Sequence, residues 1–121
     1  MEVPYIYDGE YRLAQLIWEN APVSTRALVR LAEERLSWKR TTTYTVLKKL
    51  SEKGFAKNEN SVITSLVPKS EVQKFAGNQF IESTFGGSLP SFLTAFFKGK
   101  KISDKEAEAL KKLIDEYTEE A

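Results

Sequence analysis

Residues 37–50 read SWKRTTTYTVLKKL, and this stretch decides the fold. Thr43, Val46, Leu47 and Leu50 fall at i, i+3, i+4 and i+7, the spacing of one buried helix face. Thr41, Tyr44, Thr45 and Lys48 then lie on or beside the opposite face, with Thr42 and Lys49 flanking it. Short hydroxyls reach phosphates or base edges, threonine methyls meet thymine methyls, and lysines neutralise phosphate. That is the chemistry of a recognition helix in a DNA major groove. An ordinary solvated helix surface has the same pattern, so the flanking sequence has to decide.

Upstream, Asp8 is a good N-cap for a helix running to Asn20, with Leu13, Leu16 and Ile17 inward and Tyr11 and Trp18 at its flanks. Pro22 stops it. Ser24 or Thr25 caps a second helix with Leu28, Leu31, Ala32 and Leu36 on its core side, and a short turn at Ser37-Trp38 leads into the third, from Lys39 to Lys53. Gly54 suits a left-handed helix stop. Beyond it the period changes. Phe55-Ala56-Lys57 and Val62 to Val67 are β-prone, and Asn58-Glu59-Asn60-Ser61 between them predicts a hairpin. Three helices and a two-stranded hairpin make a winged helix-turn-helix. Pro68 ends the hairpin. Ser70 can cap a fourth helix to Thr84, Phe85-Gly86-Gly87-Ser88 breaks it, Pro90 suits the first turn of a fifth, and Ser103-Asp104-Lys105-Glu106 is a capping box for a sixth.

The predicted class is therefore mainly α with a small β-hairpin: a winged helix-turn-helix over residues 1–69, then a helical dimerisation domain over 70–121. The second part carries more apolar surface than some 50 residues can bury alone. Its candidate interface is Val72, Phe75, Phe80, Ile81, Phe92, Leu93, Phe96, Leu110, Leu113 and Ile114. Packing of these side chains against the first part is the alternative. A homodimer fits better, because two recognition helices need to be held about one DNA turn apart.

Composition narrows the chemistry. The 121 residues include neither cysteine nor histidine. That excludes disulfides, thiolate metal sites, cysteine nucleophiles and the commonest general base. Glycine-rich phosphate loops and paired-carboxylate arrangements are absent, so the expectation is no enzyme, no cofactor and no metal. No window reads as a membrane span, and a cytoplasmic protein is expected. The net charge of +1 is unevenly distributed. Residues 37–57 hold six basic side chains (Lys39, Arg40, Lys48, Lys49, Lys53, Lys57) against Glu52, a local +5. Residues 102–121 hold three lysines against seven acids, a local −4. A basic patch on a balanced chain fits a polyanion partner. The candidate DNA-binding residues are Ser24, Thr25, Lys39, Arg40, Thr41, Thr42, Tyr44, Thr45, Lys48 and Lys49. Trp38 is expected to pack where the second and third helices join.

An ordered set of short motifs resembles the BlaI/MecI/CopY family of bacterial repressors. It runs from Asp8-x-Glu10 and Ile17-Trp18 through Ser24-Thr25 to Trp38-x-x-Thr41-Thr42-x-x-Thr45-x-Leu47-x-x-Leu50 and Lys53-Gly54. It resumes at Pro68, Phe80-Ile81, Phe85-Gly86-Gly87-Ser88 and Ile102-Ser103-x-x-Glu106. The resemblance implies a homodimer on palindromic operators with TACA/TGTA-like half-sites, repressing resistance or stress genes. In the antibiotic-responsive branch it also implies a membrane sensor-protease system that triggers cleavage of an Asn-Phe bond. The aligned bond here is Gln79-Phe80, with Phe80 expected in the core. The copper-responsive branch binds metal through a cysteine motif that this chain lacks. The wing departs from the family, being acidic and polar at Asn58-Glu59-Asn60-Ser61 with no aromatic in the return strand, so a weak phosphate contact is expected there. A winged helix serving as a protein-interaction scaffold without DNA is the competing function; a carboxylate-dependent enzyme is a more distant third.

Overall fold

A computed structural model describes residues 3–119. The first helix, α1 (Asp8–Asn20), places Leu13, Ala14, Leu16 and Ile17 on its inner face, as the 3.6-residue period requires. Its N-cap is Tyr7, one residue before the Asp8 expected from sequence, and the Glu10 carboxylate accepts the Tyr7 N–H at 2.9 Å. Aspartate is the commoner capping residue, but here Glu10 reaches back to the Tyr7 N–H and supplies the cap. Asp8 instead sits in the first turn, paired with Arg12 at 3.0 Å.

A two-residue strand, β1 (Val23–Ser24), follows, then α2 (Thr25–Leu36), α3 (Arg40–Glu52) and the hairpin strands β2 (Ala56–Glu59) and β3 (Val62–Ser65). The sheet order is β1-β3-β2, antiparallel throughout, with Val23 opposite Ile63 and Asn58 opposite Ile63 on the other side. The hairpin was expected and β1 was not, because two residues after a proline carry no readable period. The hairpin turns at Asn60 and Ser61, both at positive φ (53° and 62°), which matches the mirror-image turns that suit strand twist.

Leu13, Ile17, Leu28, Leu50 and Ile63 are fully buried at the centre of this unit, together with the Thr43 side chain. Trp18 ties α1 to the end of the hairpin, its indole N–H shared between Ser65 Oγ (3.0 Å) and the Val67 carbonyl (3.1 Å). Lys69–Phe85 forms α4, followed by α5 (Leu89–Phe97) and α6 (Asp104–Glu116).

The chain divides into two compact units, the first reaching Phe80 and the second starting at Ile81. The division falls inside α4 and not at residue 69. Val72 is fully buried in the first unit's core and Phe75 packs against that core. In the second unit Ser88 and Ser103 cap their helices by accepting the N–H groups of Ser91 and Glu106, each at 3.1 Å. Phe85, Phe92, Phe96 and Phe97 form a chain of edge and tilted ring contacts 5.5–6.1 Å between centroids. Among its described residues none is fully buried.

Candidate nucleic-acid interface

The interface is built on the turn between α2 and α3. Ser37 ends α2 in the left-handed region (φ 57°, ψ 34°), and the Trp38 N–H closes the turn on the Ala32 carbonyl at 3.3 Å. Trp38 packs against the core, its ring within 4 Å of the point where Gly9 would carry a Cβ. With Trp38 as an anchor, three residues suffice to reverse the chain from α2 into α3.

Thr43, Leu47 and Leu50 bury the inner face of α3, as their spacing predicts. Arg40, Thr41, Thr42, Tyr44, Thr45, Lys48 and Lys49 are all exposed. They form two parallel ridges at i, i+4 spacing, Arg40–Tyr44–Lys48 and Thr41–Thr45–Lys49, with Thr42 beside the second. The N-cap residue Lys39 makes no side-chain cap, so the first amides of α3 have no side-chain acceptor, and two cations flank them. Helix starts of this kind favour phosphate. The Thr45 hydroxyl donates to the Thr41 carbonyl at 2.9 Å, which fixes its rotamer. Lys48 stands 4.0 Å from Glu52, a pair too exposed to hold the lysine back from a phosphate.

Three sequence-based expectations change. Thr25 is nearly buried, and both its N–H (2.9 Å) and its hydroxyl (3.3 Å) bond the Ser61 carbonyl. It joins α2 to the hairpin turn and has no free donor to offer DNA. Ser24 is exposed and accepts the Ala27 N–H at 3.1 Å, the cap expected of it. Lys53 leaves the basic patch: its ammonium lies 2.7 Å from the nearly buried Glu10 carboxylate, donates to the Tyr5 carbonyl at 2.9 Å and sits over the Tyr7 ring at 4.6 Å. It is a clamp between the start of α1 and the end of α3. Lys57 is paired with Glu59 at 3.0 Å, so the wing carries no net positive charge of its own.

Arg26 and Arg30 are not among the sequence-based candidates. They are exposed one helical turn apart on α2, and no salt bridge holds either among the described residues. Their i, i+4 spacing outside the apolar face was the available signal. Among the described residues no group of acidic side chains is arranged to hold a metal ion, and no helix is long and apolar enough to cross a membrane.

A helix-turn-helix followed by a hairpin wing defines the winged-helix class. The chain belongs to the penicillinase repressor family, whose sequence model matches residues 7–116. It is thus a DNA-binding repressor and not an enzyme. Two solved structures share its fold at a TM-score of 0.50 and 24% identity, each covering 58% of this chain and 90% of its own. One is Bacillus licheniformis BlaI, in its monomeric form in complex with the blaP half-operator; the other is the DNA-binding domain of the repressor BlaI. An uncharacterized 16.5 kDa protein from the ptsI 3′ region of Latilactobacillus sakei is 25% identical over 113 residues, 90% of this chain and 77% of that protein.

Proposed function

We propose that the protein is a homodimeric repressor that places one α3 in the major groove of each half of a palindromic operator. The observation that carries this is the exposed outer face of α3, from Arg40 to Lys49, over a buried Thr43-Leu47-Leu50 face. Thr41, Thr42 and Thr45 read base edges, while Lys39, Lys48 and Lys49 neutralise phosphates. Arg26 and Arg30 add phosphate contacts outside the groove. Half-sites of the TACA/TGTA type and control of resistance or stress genes in the cytoplasm follow from the family resemblance.

The second unit supports dimerisation because its apolar residues have no core of their own. Leu113 and Ile114 are half-exposed, Phe96 and Phe97 nearly so, and a cavity of about 140 Å³ opens among Phe92, Leu93, Phe96, Phe97, Ile102 and Leu110. So small a unit needs a second copy to remove this surface from water. Phe80, Ile81, Phe92, Leu93, Phe96, Leu110, Leu113 and Ile114 stay in the proposed interface. Val72, having no surface left, is withdrawn from it, and Phe75 serves the first unit's core.

Release by a membrane sensor-protease system that cuts Gln79-Phe80 extends the same reading. Phe80 is half-exposed in the single chain and not in the core as expected; the proposed dimer covers it, and the bond lies inside α4, so a protease reaches it only where the interface and the helix open.

Selection of duplexes from a random-sequence library, followed by footprinting on the DNA beside the encoding gene, tests the function. Two protected half-sites about one helical turn apart are expected. Failure to retain any duplex would return the chain to the scaffold reading.

A further inference from the structure

The first ridge of α3 holds an arrangement that the repressor reading leaves unused. Arg40, the first residue of the helix, lays its guanidinium over the Tyr44 ring, 5.4 Å from the centroid, with Nη2 3.5 Å from the phenol oxygen. An acid is at hand: Glu33 lines the same open concavity as Arg40, together with Ser37, Trp38 and Lys39. No salt bridge joins Arg40 to Glu33 among the described residues; the guanidinium rests on the ring. Both side chains are exposed. Their contact fills no core gap, and its effect is on the direction in which the arginine fork points.

An arginine held beside an aromatic ring loses little rotamer freedom when its fork forms two parallel hydrogen bonds; here Nη2 gives one N–H to the Tyr44 hydroxyl and keeps a second for the fork. In the major groove, guanine offers two acceptors, O6 and N7, that match this fork. The N-terminal residues of a recognition helix are the ones that reach base edges. Arg40 stands at that end, whereas Lys48 and Lys49 stand two turns along.

We propose that Arg40 reads a guanine in each half-operator and that Tyr44 is a positioning residue that holds the fork in the reading direction. The inference rests on the operator-binding reading above. Sequence preference at one base pair is then set by a pair of side chains four residues apart, only one of which touches the base.

The test uses the full-length protein and the duplex it selects from a random-sequence library. Arg40→Lys keeps the charge and loses the fork; Tyr44→Leu loses the ring; Tyr44→Phe keeps the ring and loses the hydroxyl. Thermal unfolding checks that each variant stays folded. The wild type should select a guanine whose replacement costs about 5- to 150-fold in affinity. Arg40→Lys should lose that discrimination while its salt slope stays unchanged. Tyr44→Leu should lose about 2- to 5-fold of it, and Tyr44→Phe should stay near wild type. Replacing the selected guanine by 7-deazaguanine should weaken the wild type and leave Arg40→Lys unaffected.

Unchanged guanine preference in Arg40→Gln would overturn the proposal. So would an Arg40→Gln variant that loses affinity equally on all duplexes, since Arg40 would then be a phosphate contact. Full discrimination in Tyr44→Leu would remove the positioning role. A wild-type protein that selects no sequence at all would fail at the operator reading itself, a separate result from a selected site indifferent to Arg40.

Discussion

Lys49 and Lys53 are one helical turn apart, and the structure gives them opposite roles. Lys49 is exposed one turn beyond Thr45, whereas Lys53 is held by Glu10, the Tyr5 carbonyl and the Tyr7 ring. Lys49→Ala should weaken binding to every duplex and lower the salt slope by about one. Lys53→Ala should leave the slope unchanged and cost about 1–3 kcal/mol of stability, because the nearly buried Glu10 carboxylate keeps only the Tyr7 N–H. Chemical denaturation beside salt-titrated gel shifts separates the two; a lowered slope for Lys53→Ala would place that lysine on DNA after all. At the centre of the face, Thr45→Ala should cost about 1–3 kcal/mol on the selected operator and little on random DNA. Equal losses on both would assign Thr45 to the phosphate backbone.

Among the elements, most helices were legible because they carry a period and a punctuation mark; α4 has no single apolar face along its length, and it starts at Lys69, so Ser70 lies inside it and is not its cap. Thr43, Leu47 and Leu50 sit where their spacing puts them, and Gly54 ends α3 at φ 83°. The clamp at Lys53 was not legible, since its partner Glu10 is 43 residues away and a lysine in a basic run looks like every other. Thr25 was misread for a related reason. Its hydroxyl sits at a helix start, as a phosphate ligand's would, yet it serves the Ser61 carbonyl, and β1 brings the two together only in the folded sheet. The hairpin turn makes its own prediction. Ser61 holds a φ of 62° that serine adopts at a cost, so Ser61→Gly should raise stability by roughly 0.5–1 kcal/mol, seen as a higher Tm. A lower Tm would mean that the serine side chain stabilises the turn in some other way.

For the whole molecule, the location of Val72 changes which fragments should fold. Residues 1–69 end before Val72 and Phe75 and leave the first unit's core open where those side chains belong. Residues 1–80 keep them. The longer fragment should be monomeric, cooperative in unfolding and able to bind single half-sites, while the shorter should be less stable by several kcal/mol, about the cost of emptying a buried aliphatic and an aromatic site. Equal stability of the two would show that α4 contributes nothing to that core. In the full chain, Leu113→Asp and Ile114→Asp should turn a dimer into a monomer at micromolar concentration. With a linked second head present at about millimolar effective concentration, operator affinity should fall by about 100-fold or more. Sedimentation of the variant as an unchanged dimer would move the interface elsewhere.

Because Val72 and Phe75 precede the Gln79-Phe80 bond, a cut there would leave a head with its core intact. Severed heads would then persist as slow-to-clear occupants of the cell that bind and leave half-sites quickly. Intact dimers, with long residence on two half-sites, would outcompete them as soon as they were made. Recovery after a signal would therefore run on the clock of new synthesis, and the accumulated fragments would leave no memory of the earlier exposure.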